Sequence, residues 1–160
     1  MRKLLVVDPL KCTGCRACEA ACSIVKESES NIYKSRIRTI RFPDQLFFYP
    51  HVCSQCETPH CAAPCPTAAI KKDPDTGVVE VIKERCVGCR LCLLACPFGA
   101  MGMVDGLASK CDLCGGDPAC VRLCEPKAIT FGEAEGFSAP KRILLAGKIR
   151  DIYLAKEEKA

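Results

Sequence analysis

The sequence predicts a small α+β protein in which short hairpins and short helices wrap four groups of cysteines. Three observations carry this prediction. All sixteen cysteines fall into four quartets, and none is left over. Turn residues at Pro74, Asp75 and Gly77 separate two β-prone flanks, Ala69-Ile70 and Val78 to Ile82. The Ala69-Ile70 exit from the second quartet recurs after the fourth as Ala128-Ile129, which marks a duplication.

Each element follows in order. Leu4 to Val7 is an apolar β-type run stopped by Asp8-Pro9, and reads as an edge strand. Motif I is Cys12, Cys15, Cys18 and Cys22. Gly14 lies inside its loop, where a bare backbone lets amides approach sulfur. Arg16 to Lys26 is helix-compatible, which places Cys22 on a short helix. The alternation around Arg36, Ile37, Arg38, Ile40, Arg41 and Phe42 predicts a hairpin with one wet face. Its basic residues are either a solvated strand face or a docking patch for an acidic partner. Leu46 to Tyr49 reads as a buried strand.

Motif II is Cys53, Cys56, Cys61 and Cys65, followed by Pro66. The stretch 69–82 predicts an antiparallel hairpin. Motif III is Cys86, Cys89, Cys92 and Cys96, followed by Pro97. Motif IV is Cys111, Cys114, Cys120 and Cys124, with Pro126 one place late. Residues 132–140 read as a linker. Ile143, Leu144, Leu145, Ile149, Ile152 and Tyr153 then fall at helical spacing within 141–159. That helix either packs on its own core or docks on a partner subunit.

Motif III has the spacing C-x2-C-x2-C-x3-C-P of bacterial ferredoxins. Three thiolates on one tight loop hold three irons of a cubane, and the fourth reaches a neighbouring cluster. One such motif therefore implies another that lends its own last cysteine. Soft thiolates select zinc, copper(I) or iron–sulfur clusters. Zinc sites present separated cysteine pairs, which leaves three cysteines within seven residues unexplained. Disulfides need an oxidising compartment. The N-terminal apolar run covers only Leu4 to Val7 and has no cleavage site. The reading is iron–sulfur.

The longest uncharged stretch, 91–104, has 14 residues and is too short to span a membrane. The formal charge of +4 counts cysteines as neutral. Four cubanes with thiolate ligands bring it to about −4 oxidised and about −8 reduced. A basic pI is thus weak support for nucleic-acid binding. No nucleophile–base pair, phosphate loop or open metal position is present, so the chain alone is expected to be no enzyme. His51 and His60 flank motif II and read as surface or packing residues, since no ligand position remains for them.

All four motifs in this order, with Cys65-Pro66-Thr67-Ala68-Ala69-Ile70 and Cys96-Pro97-Phe98-Gly99-Ala100, resemble the four-cluster iron–sulfur subunits of the dimethyl sulfoxide reductase family. That family includes electron-transfer subunits of formate dehydrogenases. The chain is also similar to carbon monoxide dehydrogenase and hydrogenase partners and to the small subunits of tungsten aldehyde oxidoreductases. The resemblance covers residues 4–131. It implies a tandem bacterial-ferredoxin-like fold with four [4Fe-4S] clusters. It also implies a pairing. Cys12, Cys15 and Cys18 share a cluster with Cys124, and Cys111, Cys114 and Cys120 share one with Cys22. Cys53, Cys56 and Cys61 pair with Cys96, and Cys86, Cys89 and Cys92 with Cys65. The outer half is then 1–52 plus 97–135, the inserted half 53–96, and the linker and docking helix 136–160.

The expected function is single-electron relay between a catalytic subunit and a further carrier or flavoprotein subunit, in anaerobic metabolism. The leading catalytic partner is a molybdenum- or tungsten-pterin enzyme, with aldehyde oxidoreductase as one candidate. The alternatives are a carbon monoxide dehydrogenase or hydrogenase partner, a diffusible polyferredoxin, and a zinc-organised interaction module. Self-association stays open. The expected location is the cytoplasm, with export alongside a partner left open.

Overall fold

The computed structural model describes residues 2–133 and, beyond them, the single positions Ile143, Ala146 and Gly147. Strand β1 (Lys3–Val7) pairs antiparallel with β8 (Ile129–Glu133), with Leu5 opposite Phe131. The start of the chain is thus tied to the exit from motif IV. Gly132 and Glu133, read as the start of a linker, are instead strand residues paired with Leu4 and Lys3. Most of that linker and the helix predicted over 141–159 lie outside the described residues.

Helix α1 (Ala17–Glu27) starts directly after the motif I loop. Arg16 at its N-cap is left-handed, and Ser28 closes it by donating its N–H to the Ile24 carbonyl at 2.9 Å. The helix buries Cys18, Glu19, Ala21, Cys22 and Ser23. Strands β2 (Arg38–Phe42) and β3 (Phe47–His51) form the predicted hairpin. The buried strand expected over Leu46 to Tyr49 is a correction. Leu46 is 82% exposed, Phe47 and Phe48 are half-buried, and Tyr49 is exposed. The ribbon has two strands.

Strands β4 (Ile70–Lys72) and β5 (Val79–Val81) form the hairpin read from the turn residues. The Asp73 carboxylate closes that turn, accepting from the amides of Asp75 and Thr76 and from the Thr76 hydroxyl. Helix α2 (Leu91–Ala95) follows the motif III loop, and α3 (Ala119–Arg122) carries Cys120. A further hairpin, β6 (Gly102–Val104) with β7 (Leu107–Ser109), joins motifs III and IV. Its signal is Asp105-Gly106, both at positive φ, a dipeptide that favours tight two-residue hairpins.

Two buried clusters hold these pieces together. Cys18, Cys22, Ile37, Cys120 and Ile129 form one, and Cys61, Ile70, Val79, Cys92 and Ala108 form the other. Thiol-bearing residues are a large part of each. Met101, Met103 and Ala108, from the stretch read as outer half, pack in the second cluster. No helix among the described residues is long and apolar enough to cross a membrane.

Candidate metal centre

The four motif loops share one backbone device. The residue before the second cysteine has positive φ in each: Gly14 at 71°, Gln55 at 48°, Gly88 at 68° and Leu113 at 57°. The left-handed step curls the loop tightly, so that successive N–H groups face one side as in anion-binding concavities. The exits repeat as well. The amides of Ala68, Gly99 and Lys127 donate to the carbonyls of Cys65, Cys96 and Cys124 at 3.2, 3.2 and 3.0 Å. All three donors have positive φ. The late Pro126 leaves the motif IV turn unchanged.

These loops bring the cysteines together in four places. One cavity is lined by Cys12, Cys15, Cys18 and Cys124. A second is lined by Cys22, Cys111, Cys114 and Cys120. A third is lined by Cys53, Cys56, Cys61 and Cys96, with the exposed His60 at its wall. The fourth is lined by Cys65, Cys86, Cys89 and Cys92. Each set takes three thiols from one motif and the last thiol of another. None of the sixteen is in a disulfide. Among the described residues no three His, Cys, Asp or Glu side chains converge as a single bound ion requires. His51 lies on β3, its ring 6.3 Å from that of Tyr49. A larger cleft beside Gly115 and Gly116 is lined by Asp73, Asp75 and Glu80 and has no thiol.

Backbone amides point at sulfur. Ala69 donates to Cys65 at 3.2 Å, Arg36 to Cys22 at 3.3 Å, and Ala100 and Ala108 to Cys96 and Cys86 at 3.4 Å. These four donors lie outside the Gly14 and Gly88 loops. Burial pushes the Cys65 thiol up, but the amide of Ala69 and the Thr67 hydroxyl outweigh it and hold the thiol below its ordinary value. Elsewhere burial wins. It pushes Cys18 up to about 11 and Cys111 up to about 12, and it raises Cys61, Cys92 and Cys120. Near neutral pH such thiols are held neutral, and a bound cation that takes the charge is what ionises them.

The cavities have neighbours. Cys18 and Cys120 belong to one buried cluster, which links the first cavity to the second. Lys110 lines the third cavity and its chain neighbour Cys111 lines the second, which links these two. Cys61 and Cys92 share the other buried cluster, which links the third to the fourth. At the two extremes Cys15 and Cys89 are exposed.

Charged side chains at the cavities are mostly paired. Arg16 at the first meets the buried Glu19. At the second, Lys26 meets Asp112 at 2.7 Å and Arg36 meets Glu27. Two residues that sequence reasoning missed, Gln55 and Lys110, are buried between the motif II and motif IV loops. The positive φ required at Gln55, where motifs I and III carry glycine, is the one signal that marks it.

Four thiols around a space, sulfur-directed amides and no shared ion point suit a thiolate-bound iron–sulfur cluster. Comparison with known proteins agrees. Residues 44–134 match the family described as the 4Fe-4S dicluster domain, and residues 5–23 match the 4Fe-4S binding domain. The aliphatic sulfonate oxidoreductase polyferredoxin-like subunit of Pyrococcus furiosus is 42% identical, over 93% of this chain and 81% of its own. The electron transport protein HydN of Escherichia coli is 35% identical, over 89% and 96%. The thiosulfate reductase electron transfer subunit PhsB of Salmonella typhi is 34% identical, over 82% and 76%.

Proposed function

This chain belongs to the 4Fe-4S dicluster domain family, and on that premise we propose that it carries four [4Fe-4S] clusters and relays single electrons along them. The chain is an iron–sulfur electron-transfer subunit and not a catalyst on its own. The carrying observation is the four cavities, each lined by four thiols drawn crosswise from two motifs. In this reading the ligand sets are those sixteen cysteines as the cavities group them. Bound there, the clusters supply reversible one-electron chemistry.

The chain's own residues do the rest. Four thiols at each site leave no open position for substrate. The amides of Ala69, Ala100, Arg36 and Ala108 donate to ligand sulfurs, which favours the more negative, reduced state. The links through Cys18 with Cys120, Lys110 with Cys111 and Cys61 with Cys92 support a linear order, with ends near the exposed Cys15 and Cys89. We assign residues 1–52 with 97–135 to the outer half of this relay and 53–96 to the inner half, with Met101, Met103 and Ala108 of the outer stretch packed in the inner buried cluster.

We further propose membership of the dimethyl sulfoxide reductase type of iron–sulfur subunit, with a molybdenum- or tungsten-pterin catalytic partner. The support is the motif order together with relatives named as subunits of a sulfonate oxidoreductase and a thiosulfate reductase. The test is anaerobic affinity purification from the native host with metal analysis of what copurifies. A large subunit carrying molybdenum or tungsten is the expected result. Nickel moves the assignment to carbon monoxide or hydrogen systems. A chain that emerges alone with about sixteen irons is a diffusible carrier.

A further inference from the structure

Lys110 is 5% exposed and Gln55 is 1% exposed. The Lys110 ammonium donates to the Cys111 carbonyl at 2.7 Å, to the Gln55 Oε1 at 3.3 Å and to the Val79 carbonyl. Three oxygen acceptors match the three donors of an ammonium, whereas a neutral amine has only two. The geometry therefore specifies a buried positive charge. Gln55 holds it in place. Its Nε2 donates to the Cys111 carbonyl at 2.7 Å, and its Oε1 accepts from the Val79 amide at 2.9 Å.

Among the described residues no carboxylate pairs with Lys110, in contrast to Arg16, Lys26 and Arg36 at the first two cavities. Lys110 lines the cavity of Cys53, Cys56, Cys61 and Cys96, and its chain neighbour Cys111 lines the adjoining one. At the fourth cavity the cation is Arg90, which is exposed and screened by water. An unpaired charge in a low-dielectric interior acts more strongly than one at the surface.

We propose that Lys110, positioned by Gln55, is a fixed internal cation that makes the cluster held by Cys53, Cys56, Cys61 and Cys96 the most easily reduced of the four. Reduction adds one negative charge to that cluster, the electron coming from the preceding carrier, and a neighbouring ammonium stabilises the added charge. The relay then has its electron-holding station inside the protein, at the junction of its halves. Lys110 acts here through its charge, and Gln55 is the positioning residue. This inference rests on the four-cluster reading.

The test is an EPR-monitored redox titration of the holoprotein, with iron determined on each sample. Lys110→Met is expected to move one of four one-electron steps to lower potential. The change in that equilibrium should be tenfold or more, which is about 59 mV for one electron. The step that moves should be the one altered by Cys56→Ser. Gln55→Glu places a carboxylate against the ammonium and should move the same step in the same direction. Lys110→Arg keeps the charge and should leave it near its original value. Unmoved steps in Lys110→Met and Gln55→Glu with iron retained overturn the inference. So does an equal shift of all four steps, or loss of clusters in all three variants, either of which marks a packing role. If the unsubstituted protein lacks about sixteen irons, the four-cluster reading itself fails.

Discussion

The ring of Phe48 lies over the α-carbon of Gly14 so closely that a methyl group there would meet the ring at 2.6 Å. Gly14 also has φ of +71°. Two separate requirements thus meet at one glycine: a left-handed step in the motif I loop and a ring pressed on it. Gly14→Ala should cost roughly 2–4 kcal/mol, combining the left-handed penalty with overpacking. Thermal unfolding of the anaerobic holoprotein measures it. Phe48→Ala in the same chain should recover the packing part and leave the backbone part.

Gly88 occupies the equivalent place in motif III, with φ of +68°, but a methyl group there would meet the Gly106 carbonyl oxygen at 2.5 Å. A ring can swing aside, whereas a carbonyl in the turn of a hairpin cannot. Gly88→Ala should therefore be the more damaging of the two, and trimming a side chain should not rescue it. Equal losses for the two alanine variants would mean that the hairpin turn yields as easily as a ring.

Crosswise ligand sets make a specific prediction for serine substitutions. Cys89→Ser and Cys65→Ser should alter the same cluster, although they lie in different motifs. Cys96→Ser should match Cys56→Ser and differ from Cys89→Ser. Each variant should drop iron from about sixteen toward about twelve, and EPR should show three clusters unchanged. If Cys96→Ser instead reproduces Cys89→Ser, each motif binds its own cluster and the crossed assignment is wrong.

Removing iron should unfold much of the chain, because thiol-bearing residues make up a large share of both buried clusters. The pH dependence of whatever fold remains has a definite sign. Burial raises Cys18 from 9.0 to about 11 and Cys111 from 9.0 to about 12. The folded form therefore keeps these thiols neutral where the unfolded chain ionises them. Their contribution is intact below pH 9 and is lost as pH rises through 11 and 12. Circular dichroism of the reduced apoprotein should show little structure at neutral pH and less near pH 11. A native-like signal unchanged at both would show that the polypeptide holds itself together without metal.

Much of the fold was legible because its signals are local. The Asp73-Pro74-Asp75 turn declares the β4–β5 hairpin through side-chain acceptors within three residues. Helix α1 follows from the run after Gly14. The β6–β7 hairpin had an equally local signal in Asp105-Gly106, which the density of cysteines on either side obscured. The exposure of Leu46 was not local. A string of apolar residues reads as buried until the number of strands beside it is known, and here there is one.

The sixteen cysteines, their spacing and their division into four motifs determined by themselves that the protein binds metal through thiolates, because ligand chemistry depends on residue type and short-range reach. The spacing of motif III also led to the expectation that it exchanges its last cysteine with another motif. Which motifs meet depends on β1 closing against β8, and on hairpins that carry distant loops into one cavity. Tertiary structure alone put Gln55 and Lys110 between motifs, since a lysine next to a cysteine reads as a surface charge until packing removes the water. It also decided which thiols are exposed. Exposure and electrostatic environment are properties of the assembled interior, where residues far apart in sequence set the local dielectric.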